Sequence, residues 1–385
     1  MVAADPHQGG AIWAVLQYVL GLRAMGHDVV LLEEVDDARL PAAATRFRKV
    51  AAAFGLAGRA AIIGRQSRRV AAMSRARLER LLGGADLLLN LSGTLTDERL
   101  LARFAQRAYL DLDPGFTQLW HATGQADMGF ARHDRFVTIG HGIGAPGSRI
   151  PDCGRNWITT PQPVCLDAWP VAESATDGAL TTVAHWRAYG SLHHDGVHYG
   201  QKAHALRPLV GLPRRCGARF RLALGIDPAE RDDLQALYRE GWELVDPIAA
   251  AGTPSAYREF IGSSWAEFGL AKLGYVEARC GWFSDRSVCY LASGRPVVAQ
   301  DTGFPAWLPA GEGVLAFRDA AGVQSAIEAL RSRYGAHRRA ARELAETVFR
   351  SDRVLEELLG RLAAPMKAER AAPVNGAAAG EGACR

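Results

Sequence analysis

The chain has 385 residues, enough for two domains of ordinary size. Hydrophobic residues make up 48% and charged residues 22%, a globular composition. Its 45 basic and 41 acidic residues leave a net charge of +4, too even a balance for a protein that holds nucleic acid or an anionic membrane.

In chain order, the first signal is the loop "DPHQGG" (5–10), followed by "AIWAVLQYVLGL" (11–22). Ile12, Val15, Leu16, Val19 and Leu20 fall on one face of a helix over 11–25. The run is too short to cross a bilayer, contains Gln17, and lacks the basic leader and cleavage site of a signal peptide. Strands are expected at 28–33, 86–91, 108–113 and 135–140, then at 180–186, 219–225, 242–246, 296–300 and 313–317. Helices start at Asp227-Pro228 and Thr253-Pro254, where a capping side chain precedes a proline. A last helix is expected at about 337–362, carrying Leu344, Val348, Leu355, Leu358, Leu359 and Leu362. The Ala/Gly-rich tail 365–385 reads as disordered.

Alternating strands and helices imply an α/β protein with parallel sheets covered on both faces. The stretch 160–180, rich in proline and without period, reads as a linker. Two Rossmann-like domains facing across a cleft are therefore expected: 1–165, 166–340, and a helix 341–364 packing back across the cleft. Only "MVAA" precedes the first loop, so the first strand is expected to be stunted or missing, with a start upstream of Met1.

The six cysteines are Cys153, Cys165, Cys216, Cys280, Cys289 and Cys384, with no Cys-x2-Cys pair, so zinc and redox templates fail and a reducing cytoplasm is implied. His193, His194, Asp195 and His198 share a loop, but Gly196 breaks any helical spacing and no further ligand follows, so no metal is expected.

Chemistry concentrates in four places. Gly9 and Gly10 precede a helix whose first N–H groups point outward, a place for a phosphate or simply a tight turn. Arg187 and Lys202 follow the first strand of the second domain and suit a diphosphate, which needs charge-assisted hydrogen bonds. "SDRSVCYLASGRPVVAQDTGF" (284–304) gives a loop entering a helix, a Gly-Arg-Pro turn, a valine strand and an Asp-Thr-Gly turn at its carboxyl end. Ser284, Asp285, Arg286 and Ser287 sit at that helix start, with Ser284 or Asp285 as cap, and Asp301, Thr302 and Gly303 leave the strand where parallel sheets bind ligands. Glu267 and Lys272 lie just upstream and either face the cleft or form a surface pair.

These pieces resemble the GT-B nucleotide-sugar-dependent glycosyltransferases. The matching segments are "GGAIWAVLQYVLGLRAMGHDVVLLE", "HWR…QK" and "FSDRSVCYLASGRPVVAQDTG". The resemblance implies transfer of a sugar from a nucleoside diphosphate to a small or lipid-linked acceptor, with no metal or cofactor. The chain departs from the Glu-x7-Glu pattern of many retaining members, with Gly281 and Cys289 at those positions, and also lacks the inverting subgroup's His-x7-Gly-Gly, so the stereochemical course stays open. An inverting transfer needs a base for the acceptor hydroxyl. Asp113, His121 and Asp5 are the candidates, with His141 also on a loop at a strand end; Phe116 and Trp120 beside Asp113 suit either an acceptor or the core. A sugar-nucleotide epimerase and a non-catalytic nucleotide-sugar binder are the alternatives. A dehydrogenase is disfavoured, because "DPHQGG" is not Gly-x-Gly-x-x-Gly.

Overall fold

The computed structural model describes residues 1–5, 7–173 and 178–365. Part of the expected linker (174–177) and all but Pro365 of the expected disordered tail lie outside them.

Seven strands come first: β1 (Leu31–Val35), β2 (Ala60–Gly64), β3 (Val70–Ala71), β4 (Leu87–Leu91), β5 (Gln106–Asp111), β6 (Arg135–Thr138) and β7 (Trp157–Thr159). They form two separate sheets, ordered β1-β2-β3 and β4-β5-β6-β7, with only the β2–β3 pair antiparallel. No strand occurs among the described residues before Leu31. The strand expected at 28–33 begins at Leu31, where β2 starts opposite it at Ala60; Val29 and Val30 lie outside any strand.

Eight further strands follow: β8 (Leu180–His185), β9 (Leu192–His194), β10 (Val197–Tyr199), β11 (Phe220–Gly225), β12 (Glu243–Val245), β13 (Ala266–Gly269), β14 (Val297–Gln300) and β15 (Val314–Phe317). Six make one parallel sheet, β12-β11-β8-β13-β14-β15, while β9 and β10 form a hairpin. The core residues of the large sheet, among them Leu180, Phe220, Phe268, Val298 and Phe317, are sealed by helices, as a parallel sheet requires.

Two helix expectations are corrected. The helix after Asp227 starts only at Arg231, because the Asp227 carboxylate accepts from the Ala229 N–H at 2.8 Å and closes a turn first. The single helix expected at 337–362 is two, Ala320–Leu344 and Ser351–Ala363, joined by a wide turn at Ala345–Phe349. The break is made by a crossing segment: Val164 donates to the Phe349 carbonyl at 2.7 Å and accepts from the Ser351 N–H at 3.0 Å. Beyond it Leu355, Leu358 and Leu362 pack on Tyr18, Leu110 and Val137, so the last helix covers the N-terminal sheet. No helix among the described residues is long and apolar enough to cross a membrane.

The helix Gly9–Ala24 ties the halves together. Its Trp13 donates to the Pro254 carbonyl at 2.9 Å and packs on Trp169. Gly9 lies so close to the backbone of Thr253 that an added Cβ would stand 2.3 Å from its carbonyl oxygen. The carboxyl ends of β5 and β6 meet those of β13 and β14: Gly142 donates to the Cys280 carbonyl at 2.8 Å, and Asp113 meets Lys272.

Candidate functional site

The site grows from the helix Asp285–Ala292. Ser284 caps it, accepting from the Arg286 N–H at 3.2 Å, and Asp285 supplies an acidic first turn. Capping commits one face of the Ser284 hydroxyl to the helix; Ser287 is buried just inside. Arg286 turns into the protein. Its Nε donates to Glu267 Oε1 at 2.6 Å and its Nη1 to the Val183 carbonyl at 3.1 Å, so one residue links β13 to the end of β8. Burial works against its charge, but Glu267 holds the guanidinium above the usual arginine range. The pair is left incomplete: Arg286 Nη2 and Glu267 Oε2 are buried without a hydrogen-bond partner. A donor and an acceptor left open side by side are costly unless something meets them.

Lys202 opens the short helix Lys202–Leu206, whose Ala203 N–H bonds back to the Trp186 carbonyl at the end of β8. It is half-buried, and its ammonium makes no hydrogen bond or ion pair among the described residues. Burial, with the neighbouring charges of Arg286 and Lys272, pushes its amine well below the usual lysine range. Lys202, Arg286 and Lys272 thus share one region with Glu267, Asp285 and Asp113, and of the three cations Lys202 alone holds no carboxylate among the described residues.

Lys272 comes from the carboxyl side of β13 and reaches across to the other half. Its Nζ lies 3.0 and 2.9 Å from the two Asp113 oxygens and also contacts the Tyr189 and Tyr275 hydroxyls. Tyr189 donates to Asp113 at 2.7 Å and Tyr275 at 2.5 Å. The rings of Phe116, Tyr189 and Tyr275 surround the ammonium. Burial and the Asp113 charge push both phenols up, so they stay protonated donors.

The remaining predicted residues are more dispersed. Arg187 is on the rim, ion-paired with Glu230. Asp301 accepts from the Gly303 N–H at 2.7 Å and pairs with Arg318 at 2.8 Å; Thr302 is fully buried, its hydroxyl given to the Trp282 carbonyl. That turn is closed on itself. Gly9 and Gly10 face Thr253 and Tyr257. Asp5 is exposed, 3.8 Å from Arg39. His121 packs on Phe130, apart from the Asp113 cluster. His141 stacks on Trp307 at 3.9 Å with Nε2 unpartnered, and burial pulls its pKa down to about 4, leaving it neutral. His198 Nδ1 lies 2.8 Å from His193 Nε2 on the β9–β10 hairpin.

Sequence reasoning did not single out Tyr189 and Tyr275. Tyr275 stands three residues after Lys272, the spacing of one helical face, which is the signal that could have found it.

No family model matches the sequence, and no curated protein matches it. Solved structures do. HepE of Anabaena in complex with UDP and glucose matches at 10% identity over 94% of this chain and 97% of its own, with a TM-score of 0.53. Sucrose-phosphate synthase from Thermosynechococcus elongatus matches at 14% identity over 94% and 96%, TM-score 0.54. An alpha-glucosyltransferase in complex with UDP-glucose and DNA matches at 11% identity over 94% and 98%, TM-score 0.57.

The fold is GT-B. In GT-B terms, Lys202, Arg286 and Glu267 belong to the second Rossmann-like half and Asp113 to the first, with Lys272 spanning the GT-B cleft between them.

Proposed function

We propose that this chain is a glycosyltransferase that moves a sugar from a nucleoside diphosphate to an acceptor bound on the N-terminal side. The observation that carries the reading is the incomplete charge at the helix Asp285–Ala292: an unpaired Lys202 beside an Arg286–Glu267 pair with one open donor and one open acceptor. A diphosphate supplies the missing anion, and a ribose or sugar hydroxyl the missing donor for Glu267. The first-turn N–H groups add a fixed positive end.

Lys272 couples donor to acceptor. It neutralises Asp113 while the site is empty; an arriving diphosphate competes for the ammonium, and Asp113 is released as a base. The acceptor hydroxyl then gives its proton to Asp113 as its oxygen attacks the anomeric carbon. The bond from that carbon to the diphosphate breaks, and the diphosphate leaves held by Lys202, Arg286 and Lys272. His121 and Asp5 are the rival bases. Asp113 is favoured because its carboxylate alone of the three touches a donor-side cation.

HepE and the alpha-glucosyltransferase were solved with UDP or UDP-glucose, so UDP-glucose is the first donor to test. A panel of nucleotide sugars is incubated with sugar and lipid-linked acceptors. Release of nucleoside diphosphate with an acceptor heavier by one sugar supports transfer; an isomerised donor of unchanged mass supports epimerisation. A second reading, a nucleotide-sugar binder without transfer, rests on Gly281 and Cys289 at the Glu-x7-Glu positions. It is supported if donor binds and none is consumed.

A further inference from the structure

Both oxygens of Asp113 are already taken. Its Oδ1 meets the Tyr189 hydroxyl at 2.9 Å, the Tyr275 hydroxyl at 2.5 Å and Lys272 Nζ at 3.0 Å; its Oδ2 meets Tyr189 at 2.7 Å and Lys272 at 2.9 Å. A carboxylate offers about four lone-pair positions, so none is left for a newcomer. A base takes a proton only from a hydroxyl within hydrogen-bond reach. An acceptor therefore has to take the place of one of these three partners.

The three differ in how readily they give way. Lys272 is drawn toward the diphosphate and stays with the leaving group. Tyr275 is fixed: it is buried in the helix Leu273–Ala278, with Phe116 and Trp282 against its ring. Tyr189 is half-buried and lies between β8 and β9, outside any helix or strand. Its segment is held by two long bonds, from the Ala188 N–H to Gln201 Oε1 at 3.3 Å and from Gln201 Nε2 to the Gly190 carbonyl at 3.4 Å. The Tyr189 hydroxyl also touches Lys272, so it stands on the donor side of Asp113.

The surroundings of Tyr189 define a chemistry. Its ring rests against Phe116 at 5.0 Å and Trp120 at 4.7 Å, both edge to face. These two walls are flat and apolar and carry no hydrogen-bond acceptor. A flat ring with one hydroxyl at its far end fits the walls and satisfies Asp113. A sugar ring bears hydroxyls on several sides, and those turned to Phe116 and Trp120 would lose water without gaining a partner.

We propose that Tyr189 is a built-in stand-in for the acceptor, its hydroxyl holding the acceptor's place on Asp113, and that the acceptor displacing it presents a phenolic hydroxyl on an apolar ring. This rests on the transferase reading. The phenolic O–H gives its proton to Asp113 and its oxygen bonds to the anomeric carbon. The bond from that carbon to the diphosphate breaks, and its electron pair leaves with the diphosphate. While Tyr189 holds the place, apparent acceptor affinity is reduced to the fraction of molecules in which it has swung out.

The probe is p-cresol, the tyrosine side chain as a free molecule, with methyl glucoside as the sugar comparison. Parent, Tyr189→Ala and Tyr189→Phe proteins are incubated with the nucleotide-sugar panel. In Tyr189→Ala the KM for p-cresol should fall by roughly tenfold, with the donor KM unchanged and cresyl glycoside released. Tyr189→Phe keeps the ring but gives up both bonds to Asp113. Its KM for p-cresol should fall as well, and it carries the test if alanine unfolds the segment. p-Cresol should also raise the melting temperature of Tyr189→Ala and not that of the parent. If neither variant uses p-cresol better than the parent while methyl glucoside is glycosylated, the proposal is overturned and the transferase reading stands. Glycosylation of methyl glucoside but not of p-cresol by Tyr189→Ala overturns the phenolic class. A parent chain heavier by one sugar, with the gain lost in Tyr189→Phe, makes Tyr189 an acceptor itself and overturns the stand-in. No nucleotide sugar consumed by any of the three proteins overturns the transferase reading as well.

Discussion

Lys202→Met separates binding from folding more cleanly than any other change at the cation cluster. Arg286 and Lys272 each hold a carboxylate, so removing either strands an acid; Lys202 holds none among the described residues. Its charge is disfavoured by burial and by its two cationic neighbours, so methionine relieves the empty protein of that cost and should not lower its melting temperature. With a diphosphate present the charge is what the ligand needs, and its loss costs about 1.5–3 kcal/mol. That corresponds to a roughly 10- to 150-fold weaker Kd by isothermal titration calorimetry. Proton linkage gives a second readout. The empty site binds the Lys202 proton weakly and the occupied site binds it tightly. Affinity for a nucleotide sugar, whose diphosphate diester does not titrate near neutrality, is therefore constant at low pH. It falls about tenfold per pH unit above the lysine's pKa in the empty protein, until the pKa of the complex is reached. In Lys202→Met that slope disappears. Parental affinity with an unchanged pH slope in a folded Lys202→Met protein would refute the placement of the donor.

Asp113→Asn should slow turnover by about 10²–10⁴-fold in steady-state assays while leaving donor affinity intact or tighter, whereas His121→Asn and Asp5→Asn should stay near the parent; a sharp loss in either rival transfers the base to it. Arg286→Met should cost about 3–5 kcal/mol in urea unfolding, because Glu267 is left buried and unpaired, and the double change Glu267→Met with Arg286→Met should recover most of it. Gly9→Ala should destabilise by about 1–3 kcal/mol, since its Cβ meets the Thr253 carbonyl; an unchanged unfolding curve would mean that the two halves do not press together there.

Strands such as Leu87–Leu91 and Val314–Phe317 were legible from their apolar runs, although β2, Ala60–Gly64, is equally apolar and was not among those expected. A strand that escaped notice at the centre of the six-stranded sheet, β13, is only Ala-Glu-Phe-Gly. Its buried Glu267 breaks the apolar pattern, and the reason is its partner Arg286, nineteen residues on, which no local window can see. Short edge pieces such as β3, β7 and the β9–β10 hairpin escaped similarly, being fixed by neighbours and not by their own hydrophobicity. Ser284 as a cap followed from local chemistry, as did Thr253. Sequence could nominate Lys272 and Asp113 separately, but not their meeting across 159 residues, which depends on how the halves face. Nor could it tell that Thr302 and Asp301 bond within their own surroundings.

The crossing at Val164 has a mechanical consequence. The chain passes between the halves twice, once after β7 and again at Phe349–Ser351, and Val164 bonds the two passages to each other. Arg342 reinforces the seam by donating to the Trp169 carbonyl at 2.9 Å. Both covalent tethers therefore lie together, so any swing of one half against the other would turn about them, as a door turns on two hinge pins set along one post. A swing that parts Asp113 from Lys272 also has to lift Gly9 and Trp13 off the 251–257 segment, so admitting a donor and loosening that packed face are a single movement.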